Sequence, residues 1–176
     1  MAVCLRAVAR LFIGVALLVS ATPAFAQDAR LEANKKLLLD FFHFQGTREE
    51  RAAKFLADDY VQHNPRFLAM DKITGAKGRE AWVAAQNEAQ RRGIRLVDLN
   101  GISLRSDPVI LMAEGDLVTA IYKGTMKDPD GSGREWEIFA FETVRIRDGK
   151  FTEHWDQVTL APDWNVSRQP AVGGRQ

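Results

Sequence analysis

Three side chains in this sequence are the candidates for acid–base catalysis: Glu142, His63 and Asp156. Glu142 follows a run of apolar residues. An apolar environment raises the pKa of a carboxyl group toward neutrality, where the group can take a proton next to a carbonyl. The alternative is a structural glutamate paired with an arginine at a sheet edge. His63 could polarise a developing enolate, or it could brace the turn before Pro65 by bonding to Asp156.

Six further side chains lie close to these candidates in the sequence or in the predicted fold, and we expect them to contact a substrate. They are Tyr60, Gln62, Asn64, Trp82, Phe139 and Trp155. Gln62 and Asn64 offer neutral hydrogen bonds to a substrate oxygen, although Asn64 could equally satisfy the backbone of its turn. The ring of Trp155 could line a pocket or fill the hydrophobic core, whereas the pattern around Trp82 and Phe139 favours simple core positions over pocket walls.

No metal or cofactor is predicted. The sequence carries no glycine-rich phosphate loop, no Ser-His-Asp signature and no dinucleotide-binding fingerprint. A metal site formed by His63, His154 and Asp156 has no support from ligand spacing, because a His-x-Asp pair on a strand is common by chance. The formal net charge of +1 offers no electrostatic reason to expect nucleic acid or an anionic membrane as a partner.

The segment from Glu142 to Asp156 predicts a β-hairpin, because Asp148-Gly149 is a favoured pair for a two-residue type I′ turn. Such a turn predicts the register: Arg147 pairs with Lys150, Ile146 with Phe151, Val144 with Glu153 and Glu142 with Trp155. Because side chains alternate across a strand, one mostly apolar face carries Glu142, Glu153 and Trp155. The other face carries Arg145, His154 and Asp156. A carboxylate on an apolar face is costly unless it is paired, protonated or in a cavity, which indicates a site.

Helical spacing precedes extended spacing along the chain. Apolar residues recur at helical intervals from Asp28 to Phe44, from a capping box at Thr47 to about Ala57, and from Gly78 to Arg92. Extended segments are predicted over residues 95–105, 109–113, 117–123, 135–147 and 150–160, and no helix or strand is predicted for residues 66–77. The sequence therefore predicts an α+β domain, with about three N-terminal helices packed on a curved, mostly antiparallel sheet.

Residues 1–26 predict an export signal. Arg6 and Arg10 flank the start of an apolar stretch, and Ala24-Phe25-Ala26 fits a cleavage site. Removal of these two arginines changes the formal charge from +1 to −1, and removal of Cys4 leaves no cysteine for a disulfide or a metal. We expect a periplasmic or secreted protein without membrane contact after cleavage. Its single domain spans residues 27–164, and residues 165–176 form a flexible tail.

Two motifs together are distinctive. Tyr60-Val-Gln-His-Asn-Pro65 follows the first two helices, and Asp148-Gly-Lys-Phe-Thr-Glu-His-Trp-Asp156 closes the domain. Over about residues 30–160 the chain resembles the SnoaL-like family, which shares a cone fold with ketosteroid isomerase and nuclear transport factor 2. The resemblance implies a conical pocket between sheet and helices, and a pocket carboxylate that acts as acid or base without a cofactor. Glu142 stands where the family pattern often has Asp.

Two functions are compatible with this pattern. The first is an exported, cofactor-independent lyase or isomerase that applies SnoaL-like aldol-condensation or proton-transfer chemistry to a small apolar carbonyl compound. The alternative is a non-catalytic module that binds a lipophile in the same cone. An enzyme needs a second polar group beside Glu142, because catalysis requires both a base and an oxyanion donor. A binding module needs only apolar walls. Apolar side chains on both faces of the segment from Leu117 to Phe141 also predict a homodimer through the open face of the sheet.

Overall fold

The computed structural model describes residues 23–97, 99, 101–127 and 132–156. Within these residues the chain forms four helices and five strands, which confirms the predicted α+β class. The helices are α1 (Pro23–His43), α2 (Arg48–Phe55), α3 (Pro65–Thr74) and α4 (Gly78–Arg92), and the strands are β1 (Leu56–Gln62), β2 (Ile110–Glu114), β3 (Leu117–Lys127), β4 (Glu135–Arg147) and β5 (Lys150–Asp156). The predicted tail and the first 22 residues of the predicted export signal lie outside the described residues.

Local chemistry explains where two of the helices begin. The predicted capping box is confirmed: the Glu50 backbone N–H donates to the Thr47 hydroxyl at 3.1 Å, and the Glu50 carboxylate accepts from the Thr47 backbone at 2.8 Å. No helix is predicted for residues 66–77, yet α3 occupies most of them. Asn64 caps α3 by accepting from the Arg66 backbone N–H at 2.8 Å. Pro65 takes the first helical position, where its missing N–H is not needed.

The sheet has the order β1-β5-β4-β3-β2, with β1 parallel to β5 and every other pair antiparallel. The second helix ends at Phe55, two residues earlier than predicted, because Leu56 already has extended backbone angles. The chain continues directly into β1, which is the one strand of the described residues that the sequence does not predict. No strand forms in the described part of residues 95–105. Among the described residues, no helix is long and apolar enough to cross a membrane.

One hydrophobic core lies between the helices and one face of the sheet, which we call the inner face. Leu38 and Phe41 of α1 pack there with Phe151 of β5. Trp82 also belongs to this core, since it is 6% exposed and its ring centroid lies 5.8 Å from that of Phe41. Phe139 points to the opposite, outer face and is 42% exposed. Neither aromatic residue is therefore available as a freely accessible wall beside Glu142.

Gly78 is where α4 meets β1, and its replacement by alanine is expected to destabilise the protein strongly. Gly78 has a φ of 58°, and a Cβ atom there would lie 1.9 Å from the Asp58 carbonyl oxygen. Gly75 is a matched control, because its φ is 70° and a Cβ atom would meet nothing within 4 Å. We expect Gly75→Ala to cost about 1–2 kcal/mol for the left-handed backbone alone. Gly78→Ala should cost about 1–3 kcal/mol more for the clash. Equal losses in chemical denaturation would contradict this packing.

Candidate active site

A β-bulge in the β4–β5 hairpin decides which side chains meet Glu142. The predicted register is correct for Arg147 with Lys150 and Ile146 with Phe151, and it is wrong beyond them. Arg145 pairs with Glu153 instead, so Thr152 is an extra residue on β5. The extra residue reverses the alternation of side chains for the rest of the strand.

The reversal exchanges the two faces of β5 after the bulge. His154 now lies opposite Val144, and Asp156 lies opposite Glu142, so both point to the inner face. Glu153 and Trp155, predicted to accompany Glu142, lie on the outer face. The three ionisable groups that the structure brings together are therefore Glu142, His154 and Asp156, and their ligand atoms all lie within 4.8 Å of one another.

Glu142 and His154 form a buried hydrogen-bonded pair. The Nε2 atom of His154 lies 2.7 Å from Oε2 of Glu142, and the two residues are only 4% and 2% exposed. Asp156 is held by the Asn64 side-chain amide, whose Nδ2 donates to Oδ1 at 2.8 Å. Asn64 is itself oriented by its capping bond to α3. Hence the start of α3 fixes one side of the charged cluster.

Strand β1 supplies the groups on the far side of the imidazole. The Tyr60 hydroxyl and the Gln62 side-chain amide each lie 3.2 Å from Nδ1 of His154. Both residues are buried, and the parallel pairing of Gln62 with His154 places them there. Tyr60, Gln62 and Asn64, all predicted to be near the site, are thus in its hydrogen-bond network. They contact the ionisable cluster directly.

This network determines the tautomer of His154. The Asn64 backbone N–H donates to Oε1 of Gln62 at 3.2 Å, so the Gln62 amide must present its Nε2 group to the imidazole. An amide N–H can only donate, and Nδ1 of His154 therefore accepts. In its neutral form His154 carries its proton on Nε2 and donates it to the Glu142 carboxylate. This leaves Glu142 as the proton acceptor of the pair.

Burial raises the pKa of Glu142, because water no longer stabilises the carboxylate, and the hydrogen bond from His154 only partly offsets this. Burial likewise raises the pKa of Asp156. For His154, burial acts to lower the pKa, but the hydrogen bond and negative charge of Glu142 outweigh it, so that the pKa is raised. The cluster thus retains protons at higher pH than the same groups would in water.

His63 and Trp155 belong to a separate network on the outer face. The Nε2 atom of His63 lies 3.0 Å from Oε2 of Glu153, and its ring stacks on Trp155 with centroids 4.7 Å apart. Arg145 bonds to Glu153 at 2.7 Å and lies over the same indole. His63 therefore bonds to Glu153 and not to Asp156, and it braces the end of β1 against β5. It does not reach the inner face.

Glu142, His154 and Asp156 are the described residues that could hold a metal ion. The metal site of His63, His154 and Asp156 considered from the sequence does not form, because His63 lies on the outer face. A cation would have to displace the hydrogen bond between His154 and Glu142, because the other imidazole nitrogen already faces Tyr60 and Gln62. Metal binding at this set would therefore release the proton that His154 and Glu142 share.

A cavity of about 530 Å³ opens at the turn of the β4–β5 hairpin, away from this cluster. Arg30, Asp116, Arg147 and Asp148 supply its charged lining, and Glu142 is not among the lining residues. The two arginines and two aspartates of its lining balance in charge, so the cavity favours neither an anionic nor a cationic ligand. The acid–base groups of the inner face and this charged groove are thus separate features.

An α+β domain whose helices pack on one face of a five-stranded open sheet is the arrangement of the cone fold. The SnoaL-like domain family matches residues 39–154, which span most of the chain. The chain therefore belongs to the SnoaL-like family, and the predicted resemblance is confirmed. No curated protein sequence matches it.

Three solved structures are similar to this chain. A loop-truncation variant of IdmH is 22% identical, with 72% of this chain and 89% of that chain covered and a TM-score of 0.43. An NTF2-like protein of unknown function from Burkholderia pseudomallei K96243 is 14% identical, with 71% and 89% covered and a TM-score of 0.42. A protein from Jannaschia sp. CCS1, provisionally named a SnoaL-like polyketide cyclase, is 17% identical, with 72% and 85% covered and a TM-score of 0.42.

Proposed function

We propose that this protein is an exported, cofactor-independent enzyme of the cyclase or isomerase type, which moves a proton on a small apolar carbonyl compound. The observation that carries the proposal is the buried pair of Glu142 and His154, bonded at 2.7 Å on the sheet face that packs against the hydrophobic core. A buried carboxylate with a raised pKa has the basicity that removal of a proton next to a carbonyl requires. Membership of the SnoaL-like family supports the same reaction class.

In the proposed reaction Glu142 takes the proton from the carbon next to the carbonyl, and the electrons of that bond move toward the carbonyl oxygen. His154 keeps its proton on Nε2 and stabilises the carboxylate through the hydrogen bond, while Tyr60 and Gln62 hold the ring in that tautomer. Return of the proton to the same or another carbon gives exchange or isomerisation, and attack of the enolate on a second carbonyl gives cyclisation. The alternative is a module that binds an apolar ligand on the same face without turnover.

Proton exchange into deuterated buffer separates these alternatives. We expect the wild-type protein to accelerate loss of the α-protons of 2-tetralone and benzoylacetone, followed by proton NMR. Glu142→Gln should lower the enzymatic rate by at least about 10²-fold, since the base is removed. His63→Ala is the control, because His63 lies on the outer face and should leave the rate unchanged. Saturable binding of benzoylacetone without exchange would favour the binding module.

We also propose that two copies associate through the outer face of the sheet. Ile110, Ile121 and Phe141 form one row across three strands of that face, and Met112 and Phe139 lie beside it. Phe141 is 48% exposed and Met112 is 50% exposed. Contiguous apolar surface of this kind is unusual on a monomer.

Phe141→Glu is expected to convert a dimer into a folded monomer, because a carboxylate on each copy would meet an apolar surface. Sedimentation velocity on wild type and variant would show the change in mass. Ile73→Glu is the control, since Ile73 is 48% exposed but lies on α3. A wild-type protein that sediments as a monomer at micromolar concentration would contradict the proposed association.

A further inference from the structure

One polar side chain of the first helix is buried beside the cavity at the hairpin turn. Asn34 lies on α1, is 9% exposed and lines the cavity of about 530 Å³. Its side-chain amide forms no hydrogen bond with any other residue that the structure describes. An unbonded buried amide destabilises a folded protein, because its lost bonds to water are not replaced. The N–H and C=O groups of this amide are therefore expected to bond to a molecule in the cavity.

The cavity lies between three parts of the fold that are bonded to one another. Arg30 precedes Asn34 by one turn of α1, and its Nη2 atom donates to the Gly115 carbonyl oxygen at 3.3 Å. Gly115 and Asp116 form the turn between β2 and β3, and the Ile146 backbone N–H donates to the Asp116 carbonyl oxygen at 2.7 Å. The cavity is thus formed without a ligand, and its volume falls in the range of about 300–1,000 Å³ for small-molecule sites.

The charged groups of the lining differ in whether the protein already occupies them. Asp116 is paired, since its two carboxylate oxygens accept from Nη1 of Arg145 at 2.8 and 2.9 Å. The Asp148 carboxylate has no hydrogen bond or ion pair within the described part of the chain. The Nε atom of Arg147 lies 3.7 Å from Asp116, beyond hydrogen-bond distance, and Arg30 uses only Nη2 for its bond to the β2–β3 turn. The lining therefore offers a ligand the N–H groups of two guanidinium ions and one unpaired carboxylate.

We propose that this cavity binds a free α-amino acid in its zwitterionic form. Arg147 and Asp148 are adjacent in the chain and both line the cavity, so a ligand that meets both must carry its negative and positive groups close together. An α-amino acid has a carboxylate and an ammonium group on one carbon atom. Its carboxylate bonds to the guanidinium groups of Arg30 and Arg147, and its ammonium group bonds to Asp148. The Asn34 amide also bonds to the carboxylate, and Ile146 offers an apolar contact to an aliphatic side chain of the ligand.

Titration calorimetry with L-leucine and two analogues tests the need for both charges. L-leucine should bind saturably to the full-length protein at millimolar concentration. The analogue 4-methylpentanoate lacks the ammonium group and 3-methylbutylamine lacks the carboxylate, so each should bind at least about tenfold more weakly. Equal affinity for 4-methylpentanoate and L-leucine would show a site for carboxylates only, and absence of L-leucine binding would contradict the site itself. Either result would overturn the proposal.

Two variants test the residues assigned to the ligand. Asn34→Leu replaces the amide with an apolar group of similar size, so it should leave the melting temperature unchanged or raise it. Its affinity for L-leucine should fall at least about tenfold. Asp148→Asn removes the charge and preserves the turn, because asparagine tolerates the φ of 50° at this position. It should weaken L-leucine binding to a similar extent and leave 4-methylpentanoate binding unchanged, since that analogue has no ammonium group.

Asp59→Asn is the control, because Asp59 is an exposed aspartate of β1 that does not line the cavity. Wild-type affinity for L-leucine in Asn34→Leu or in Asp148→Asn would overturn the proposal. Glu142→Gln should bind L-leucine as wild type does, because Glu142 lies outside the cavity lining, and the outcome is therefore independent of the proposed function. A loss of L-leucine binding in Glu142→Gln would place the ligand on the inner face and would equally overturn the proposal.

Discussion

His154→Ala is expected to lower the free energy of unfolding by about 3–5 kcal/mol, the range seen when one partner of a buried ionic pair is removed. The loss has three sources. Glu142 would keep a buried carboxylate without its donor at 2.7 Å, Tyr60 and Gln62 would lose their common acceptor, and a cavity would remain. Chemical denaturation of the variant and of wild type measures the difference directly.

His63→Ala is the matched control for this change. The His63 side chain is 38% exposed, and its bond to Glu153 is a surface contact. Exposed pairs of this kind contribute about 0–1 kcal/mol. Each of the two motifs that distinguish the sequence contains one of these histidines. The fold buries His154 and leaves His63 exposed. Similar losses in the two variants would contradict the buried pair of Glu142 and His154.

Glu142→Gln is expected to reduce the pH dependence of stability between pH 5 and pH 8. The folded pKa of Glu142 is raised. Above its unfolded value of about 4.3, the unfolded chain loses this proton first, and the free energy of unfolding falls as pH rises. The raised pKa of His154 acts in the same direction: its stabilisation is complete below about 6.5 and is lost as pH rises through the folded value.

Asp156 and Asp71 act in the same direction and remain in the variant, because burial raises their pKa values as well. Asp116 and Glu88 have lowered pKa values because of hydrogen bonds from arginines, so their contributions change below the ordinary carboxyl range. We therefore expect wild-type protein to melt at a higher temperature at pH 5 than at pH 8. Glutamine cannot ionise, but its amide oxygen can still accept a hydrogen bond from the Nε2–H group of His154.

Thermal melts of wild type and Glu142→Gln at the two pH values test this expectation. At pH 8 the variant should equal or slightly exceed wild type. At pH 5 it should be less stable than wild type, because a protonated His154 has lost the opposite charge that Glu142 provides. A loss at pH 8 larger than about 1 kcal/mol would identify Glu142 as a brace and favour the binding module.

Interactions between residues that are close in the sequence predict much of the fold. The capping box at Thr47, the turn at Asp148-Gly149 and the helix from Gly78 to Arg92 are all present where they are predicted. Each depends on residues within a few positions of one another, and such interactions are nearly independent of the rest of the chain. Asn64 and Pro65 carried a helix-start signal of the same local kind, an N-cap followed by proline.

The sequence by itself determined the family and the α+β class. The tertiary structure alone decided what Glu142 touches. A two-residue turn specifies the first pairs of a hairpin, but the bulge at Thr152 is favoured by contacts far away. It puts His154 on the same face as Phe151, where His154 meets Tyr60 and Gln62 of the parallel strand.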